Sequence, residues 1–85
     1  MPDVFEFPCE FPVKVMGRAS EDFRRAARAI VERHAGALGE DQVNERLSRD
    51  DNFVSLTFTI RATSREQLDA LYRELTASED VLIVL

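Results

Sequence analysis

The chain has 85 residues, of which 16 are acidic and 11 basic, for a formal net charge of −5. That length suits one domain; such a chain buries only roughly 60–65% of its unfolded surface and has little core to spare for a deep internal pocket. The acidic balance argues against a protein whose main task is neutralising phosphates, and the single cysteine, Cys9, excludes an internal disulfide and a cysteine-only metal site within one chain. The N-terminal stretch carries Asp3, Glu6 and Glu10 among Pro2, Pro8 and Pro12 and lacks the apolar segment of a signal peptide. The longest apolar run, Val81–Leu85, is far too short to span a bilayer. The expected location is the cytoplasm.

Residues 1–10 read as an extended lead-in and 11–85 as a single domain. Glu-Phe-Pro occurs at Glu6-Phe7-Pro8 and again at Glu10-Phe11-Pro12, and proline keeps its predecessor out of the helical region. Val13-Lys14-Val15-Met16 alternates and predicts strand one, with Pro12 at its first position and Gly17 ending it. Ser20 predicts a helix cap, with Glu21 and Asp22 favoured at the positive end of the helix dipole. Phe23, Ala26, Ala27, Ile30, Val31 and His34 then form one apolar stripe, and Gly36 is the natural stop. Gln42–Arg49 alternates weakly and predicts a short edge strand, followed by a turn at Asp50-Asp51-Asn52. Phe53–Ala62 predicts a strand with Val54, Leu56, Phe58, Ile60 and Ala62 facing in and Ser55, Thr57, Thr59 and Arg61 facing out, which marks a sheet covered on one face only. Thr63 with Glu66 predicts a capping box for a second helix, striped by Leu68, Leu71, Tyr72 and Leu75. After a turn at Ser78-Glu79-Asp80, Val81–Leu85 predicts a last strand.

The order β-α-β-β-α-β predicts an α+β, ferredoxin-like fold: a two-layer sandwich with both helices on one face of a four-stranded antiparallel sheet, strands one and three central. This fold hosts many functions, so function is argued from sites. RNA binding of the RRM type needs exposed stacking aromatics, but alternation turns Phe58 inward and leaves Phe53 alone as a candidate; with the net charge, no nucleic-acid partner is expected. Soft-metal transfer needs paired thiolates, and the loop Met16-Gly17-Arg18-Ala19-Ser20 has none, so no metal or other cofactor is expected. Acyl-phosphate hydrolysis needs a phosphate-cradling loop. Arg18 and Asn52 are suitable residue types, but the single Gly17 supplies no cradle. His34, the one histidine, lies on a helix stripe rather than beside a nucleophile. The chain therefore reads as a non-enzyme.

Two surfaces remain. Arg24, Arg25 and Arg28 share the outer face of helix one, either as a solvated face paired with Glu21 and Glu32 at i, i+4 spacing or as a docking patch for an acidic partner. Strand four is apolar on both sides. Alternation places Leu82 and Val84 on the open face beside Met16, and such an edge needs cover from a partner subunit or from the Phe5/Phe7 lead-in.

Glu6-Phe7-Pro8, Phe11, Lys14-Val15-Met16-Gly17, Arg33-His34-Ala35, Thr63, Glu66-Gln67, Leu71-Tyr72, Glu74-Leu75 and Val84-Leu85 resemble the YbeD-like family of small bacterial proteins, nearly end to end. The resemblance implies a ferredoxin-like fold akin to ACT-type regulatory domains, with an uncharacterised role and a suspected link to lipoate metabolism. It supplies no catalytic residues. The ACT likeness implies a ligand site near Gly17, Arg18 and Ser20, at a subunit interface. The competing expectation is a protein-interaction adaptor that uses strand four or the arginine face.

Overall fold

The computed structural model describes residues 6–85. Along the chain run β1 (Cys9–Arg18), α1 (Glu21–Ala35), a 3-10 turn (Glu40–Gln42), β2 (Val43–Leu47), β3 (Phe53–Ala62), α2 (Arg65–Ala77) and β4 (Ile83–Val84). The strands form one antiparallel sheet in the order β2-β3-β1-β4. This is the α+β, ferredoxin-like arrangement expected from the sequence, with β1 and β3 central.

The core lies between the sheet and the helices. Val13, Val15, Val54, Leu56, Phe58 and Ile60 meet Phe23, Ala27, Ile30 and Val31 of α1 and Leu71 and Leu75 of α2. Alternation along β1 and β3 sends these residues to one face and Lys14, Met16, Ser55, Thr57 and Thr59 to the other. Leu38, which belongs to no predicted stripe, is also buried. Its backbone is held from α1: Arg28 Nη2 donates to its carbonyl at 2.8 Å, and its N–H donates to Glu32 Oε2 at 3.0 Å.

Both helices start on serine caps. Ser20 Oγ accepts from Phe23 N at 3.1 Å, and Gly36, at φ 85°, closes α1 through its N–H to the Glu32 carbonyl. The cap of α2 sits one residue later than Thr63, and the reciprocal bond of a capping box reaches back past it. Ser64 is the cap, accepting from Gln67 N at 3.0 Å, and Gln67 Oε1 accepts from Thr63 N at 2.7 Å. Gln67 suits this frame because its amide also donates, reaching the His34 carbonyl at 2.9 Å and so satisfying an orphan group at the end of α1. A glutamate has no donor for that bond.

β1 is longer than predicted. It begins at Cys9 and runs through Pro12 and Gly17 to Arg18, paired with β3 from Cys9↔Ala62 to Arg18↔Phe53. Pro12 is tolerated inside it because β4 accompanies β1 only as far as the Lys14–Leu85 backbone bonds, so among the described residues β1 has no partner on that edge at Pro12. Gly17 does not end the strand. A Cβ there would overlap the ring of Phe23 and come within 2.8 Å of the Asp80 carbonyl oxygen. Glycine is needed for this close approach.

The face assignment of β4 is corrected. Val15 pairs with Val84 and Met16 with Ile83, so Val84 shares the helix-covered face with Val15 and packs against the core. Ile83 is the residue beside Met16 on the open face, and it is 49% exposed. Five apolar residues in succession give no alternation to read, and only pairing to β1 sets the parity. Phe7, expected over this edge, instead lines a shallow hollow with Phe11 and Leu68 at the start of α2. Phe5 lies outside the described residues.

Two measurements check this packing. Gly17→Ala should overpack the Phe23 contact and destabilise by about 2 kcal/mol, lowering Tm by about 10 °C. Val84→Asp should likewise destabilise by about 2 kcal/mol or more in urea titration, whereas Ile83→Lys should stay within about 0.5 kcal/mol of the parent.

Candidate functional site

The open face of the sheet is built from the outward residues of each strand. The pairings Asn44↔Thr57↔Lys14 and Arg46↔Ser55↔Met16 lay two rows across β2, β3 and β1, and Ile83 of β4 extends the second. Lys14 and Arg46 thus stand on either side of β3, above the hydroxyls of Ser55 and Thr57. Both cations are exposed, while Ser55 is buried to 9% relative exposure at the floor between them.

Two contiguous concavities occupy this face. One, of about 290 Å³, is lined by Lys14, Asn44, Glu45, Arg46, Ser55 and Thr57. The other, of about 230 Å³, shares Lys14, Arg46 and Ser55 but adds Met16, Leu47 and Phe53. The first is a polar hollow and the second is walled largely by carbon. Where they overlap stand two cations and a hydroxyl. Among the described residues, Lys14 and Arg46 have no ion-pair or hydrogen-bond partner for their side chains. Arg18 lies at the rim, its guanidinium carbon 5.8 Å from the centre of the Phe53 ring, within cation–π range.

The helix side contrasts with this. Arg24 clasps Glu45 through Nε at 2.9 Å and Nη2 at 3.0 Å, with Glu21 at 3.5 Å on the same guanidinium. These hydrogen bonds hold the Glu45 carboxyl below the usual carboxylate range and push the Arg24 guanidinium up. Arg28 is engaged by Glu32 at 3.4 Å and by the Leu38 carbonyl. Glu74 of α2 takes both Arg33 and His34, the latter at 2.7 Å. Of the arginine patch on α1, Arg25 is left exposed with no ion pair among the described residues.

The residues singled out from sequence near the β1–α1 junction carry structural tasks. Gly17 makes room for Phe23, Ser20 caps α1, and Arg18 stacks on Phe53. Met16 lines the open-face concavity. Leu82, 54% exposed, donates its N–H to the Met16 carbonyl at 2.8 Å, and Val84 lies on the opposite face. Lys14, Arg46 and Ser55 escaped the sequence reading. Lys14 and Arg46 are far apart in the chain, and the weak alternation of β2 concealed which way Arg46 points. The available signal was the outward parity of Ser55 on β3, against which both neighbouring strands register.

Residues 2–85 match the family described as "Protein of unknown function (DUF493)". A UPF0250 protein of Leptothrix cholodnii is 46% identical over 82 residues, covering 96% of this chain and 90% of the relative. One of Bordetella parapertussis is 44% identical with the same coverage, and one of Paraburkholderia phytofirmans is 43% identical over 96% of this chain and 92% of the relative. A match of this length places the whole described fold within one set of small bacterial proteins. The chain belongs to the DUF493 family, the YbeD-like proteins of unknown function.

Proposed function

We propose that this protein is a non-catalytic regulatory domain that senses a small anionic ligand on the open face of its sheet. The observation that carries this reading is the pair of cations, Lys14 and Arg46, unpartnered among the described residues and flanking the buried Ser55 in a concavity of about 290 Å³. A chain of net charge −5 whose described residues neutralise Arg24, Arg28 and Arg33 but offer these two no acid over a hydroxyl floor has a ready counter-charge for a carboxylate or phosphate. The ACT-like expectation of ligand sensing is kept. The ligand is placed on the sheet face rather than at Gly17 and Ser20, whose atoms are engaged in packing and capping. The suspected link to lipoate metabolism rests on the family resemblance alone and adds no residue to this reading.

A protein-interaction role is the second reading. It draws on β4, where Leu82, Ile83 and Leu85 are 54%, 49% and 61% exposed along a sheet edge. The arginine face of α1 lends it less, because Arg24 and Arg28 are already paired. Sedimentation of the protein against an Ile83→Lys variant separates self-association through this edge from a monomeric sensor.

The sensing role is tested by amide NMR titration with a panel of small carboxylates and phosphates. The wild-type protein should show shifts centred on residues 14, 46 and 55. Lys14→Gln and Arg46→Gln should each weaken binding by about tenfold or more, since a hydrogen bond to a charged group contributes about 1.5–3 kcal/mol. Both positions are exposed, so Tm should hold. Unchanged affinity in both variants, or no shift with any anion, overturns the proposal.

A further inference from the structure

We infer that the open face takes an amphipathic anion, with its charged head on Lys14, Arg46 and Ser55 and its apolar body over Met16 and Phe53. The inference rests on the small-ligand reading above and names the class of ligand.

The two hollows adjoin one another. Lys14, Arg46 and Ser55 line both, so they mark the shared centre. On one side of that centre stand Asn44, Thr57 and Glu45, the last with its carboxylate held by Arg24, so this side is polar. On the other stand Met16 and Phe53, which offer carbon. Phe53 remains 36% exposed, so this wall is uncovered within the described chain. A bare anion would engage the centre and leave that wall wet. An anion with an attached apolar group engages the centre and dries the wall, and drying apolar surface stabilises the complex in proportion to the area covered. The Phe53 ring is also steadied by Arg18 on its face, which keeps it from collapsing into the hollow. The volumes, about 290 and 230 Å³, set the scale of a compact metabolite rather than of a polymer. Nucleic acid is disfavoured by the net charge of −5 and by the lone exposed ring on the sheet. Alkyl carboxylates and alkyl phosphate monoesters both have the required chemistry.

The probes are two homologous series added to the intact protein and followed by amide and Met16 methyl NMR: acetate, butyrate, hexanoate and octanoate, and inorganic, butyl and hexyl phosphate. Hexanol serves as the uncharged control. Full burial of a methylene gives about fourfold in affinity, and a half-open groove should recover about twofold per methylene. Both series should steepen in this way, with the tighter series identifying the preferred head group. Phe53→Ser or Met16→Ser should flatten the chain-length dependence while acetate or phosphate still shifts residues 14, 46 and 55. Met16 faces the open side and is outside the core, so that variant holds the fold if Phe53→Ser does not. Equal affinity for acetate and octanoate at those residues overturns this inference and leaves the anion-sensing reading intact. Hexanol binding as tightly as hexanoate overturns the assignment of the head group. No response to any anion overturns both readings.

Discussion

The ladder between β1 and β3, running from Cys9↔Ala62 to Arg18↔Phe53, sets which face every other part of the molecule presents. Its inward residues, Val13, Val15, Leu56, Phe58 and Ile60 among them, make the apolar surface on which both helices sit. Its outward residues, Lys14, Met16, Ser55 and Thr57, make the floor and near wall of the candidate site. Because strand parity has a period of two, a slip of one residue in this ladder would invert both at once. Core and site are therefore two readings of a single register. The glycine at Gly17↔Val54 fixes one end of that register, since a side chain there would meet Phe23.

How much of this was legible depended on whether the sequence carried a pattern at each place. β3 alternates without interruption, and its bounds at Phe53–Ala62 follow from the residues alone. The α1 stripe with Ser20 before it and Gly36 after it was equally plain. β4 is apolar at every position, so nothing in the sequence distinguished Val84 from Ile83, and pairing to Val15 and Met16 decided between them. At the start of α2, Thr63-Ser64 and Glu66-Gln67 offered two overlapping capping frames. The frame formed is the one whose third residue can also donate to the His34 carbonyl across the molecule. The length of β1 was hidden by Pro12, which reads as a boundary until β4 is seen to stop short of it. The site was the least legible part. Its two cations come from strands that touch the same neighbour but not each other, and that relation exists only once three strands are in register.

Stability and recognition draw on different charges. Exposed ion pairs contribute little each, about 0–1 kcal/mol, but here they sit where the backbone needs ties. The Arg24–Glu45 clasp joins α1 to the edge strand β2, which is otherwise held on one side only. Arg28 and Glu32 secure the loop that carries Leu38 into the core. Glu74 ties the end of α1 to α2 through Arg33 and His34. In a domain this small, where the apolar core is limited, such ties hold the edges that packing alone leaves loose.

The dipeptide Glu45-Arg46 shows why the sheet face is the place where recognition would occur. The pleat sends these neighbours to opposite sides of β2. Glu45 turns toward the helices and is matched by Arg24, whereas Arg46 turns to the open side, where the described chain offers it no acid. Lys14, flanked by the fully buried Val13 and Val15, is forced to the same side. Each outward cation follows from an inward requirement of its own strand, so their convergence over Ser55 comes from the register and not from local charge pattern. In a chain of net charge −5, that sets two cations without an ion pair among the described residues on the one face the helices do not cover. An incoming anion would be steered there by the same pairing that buries the core.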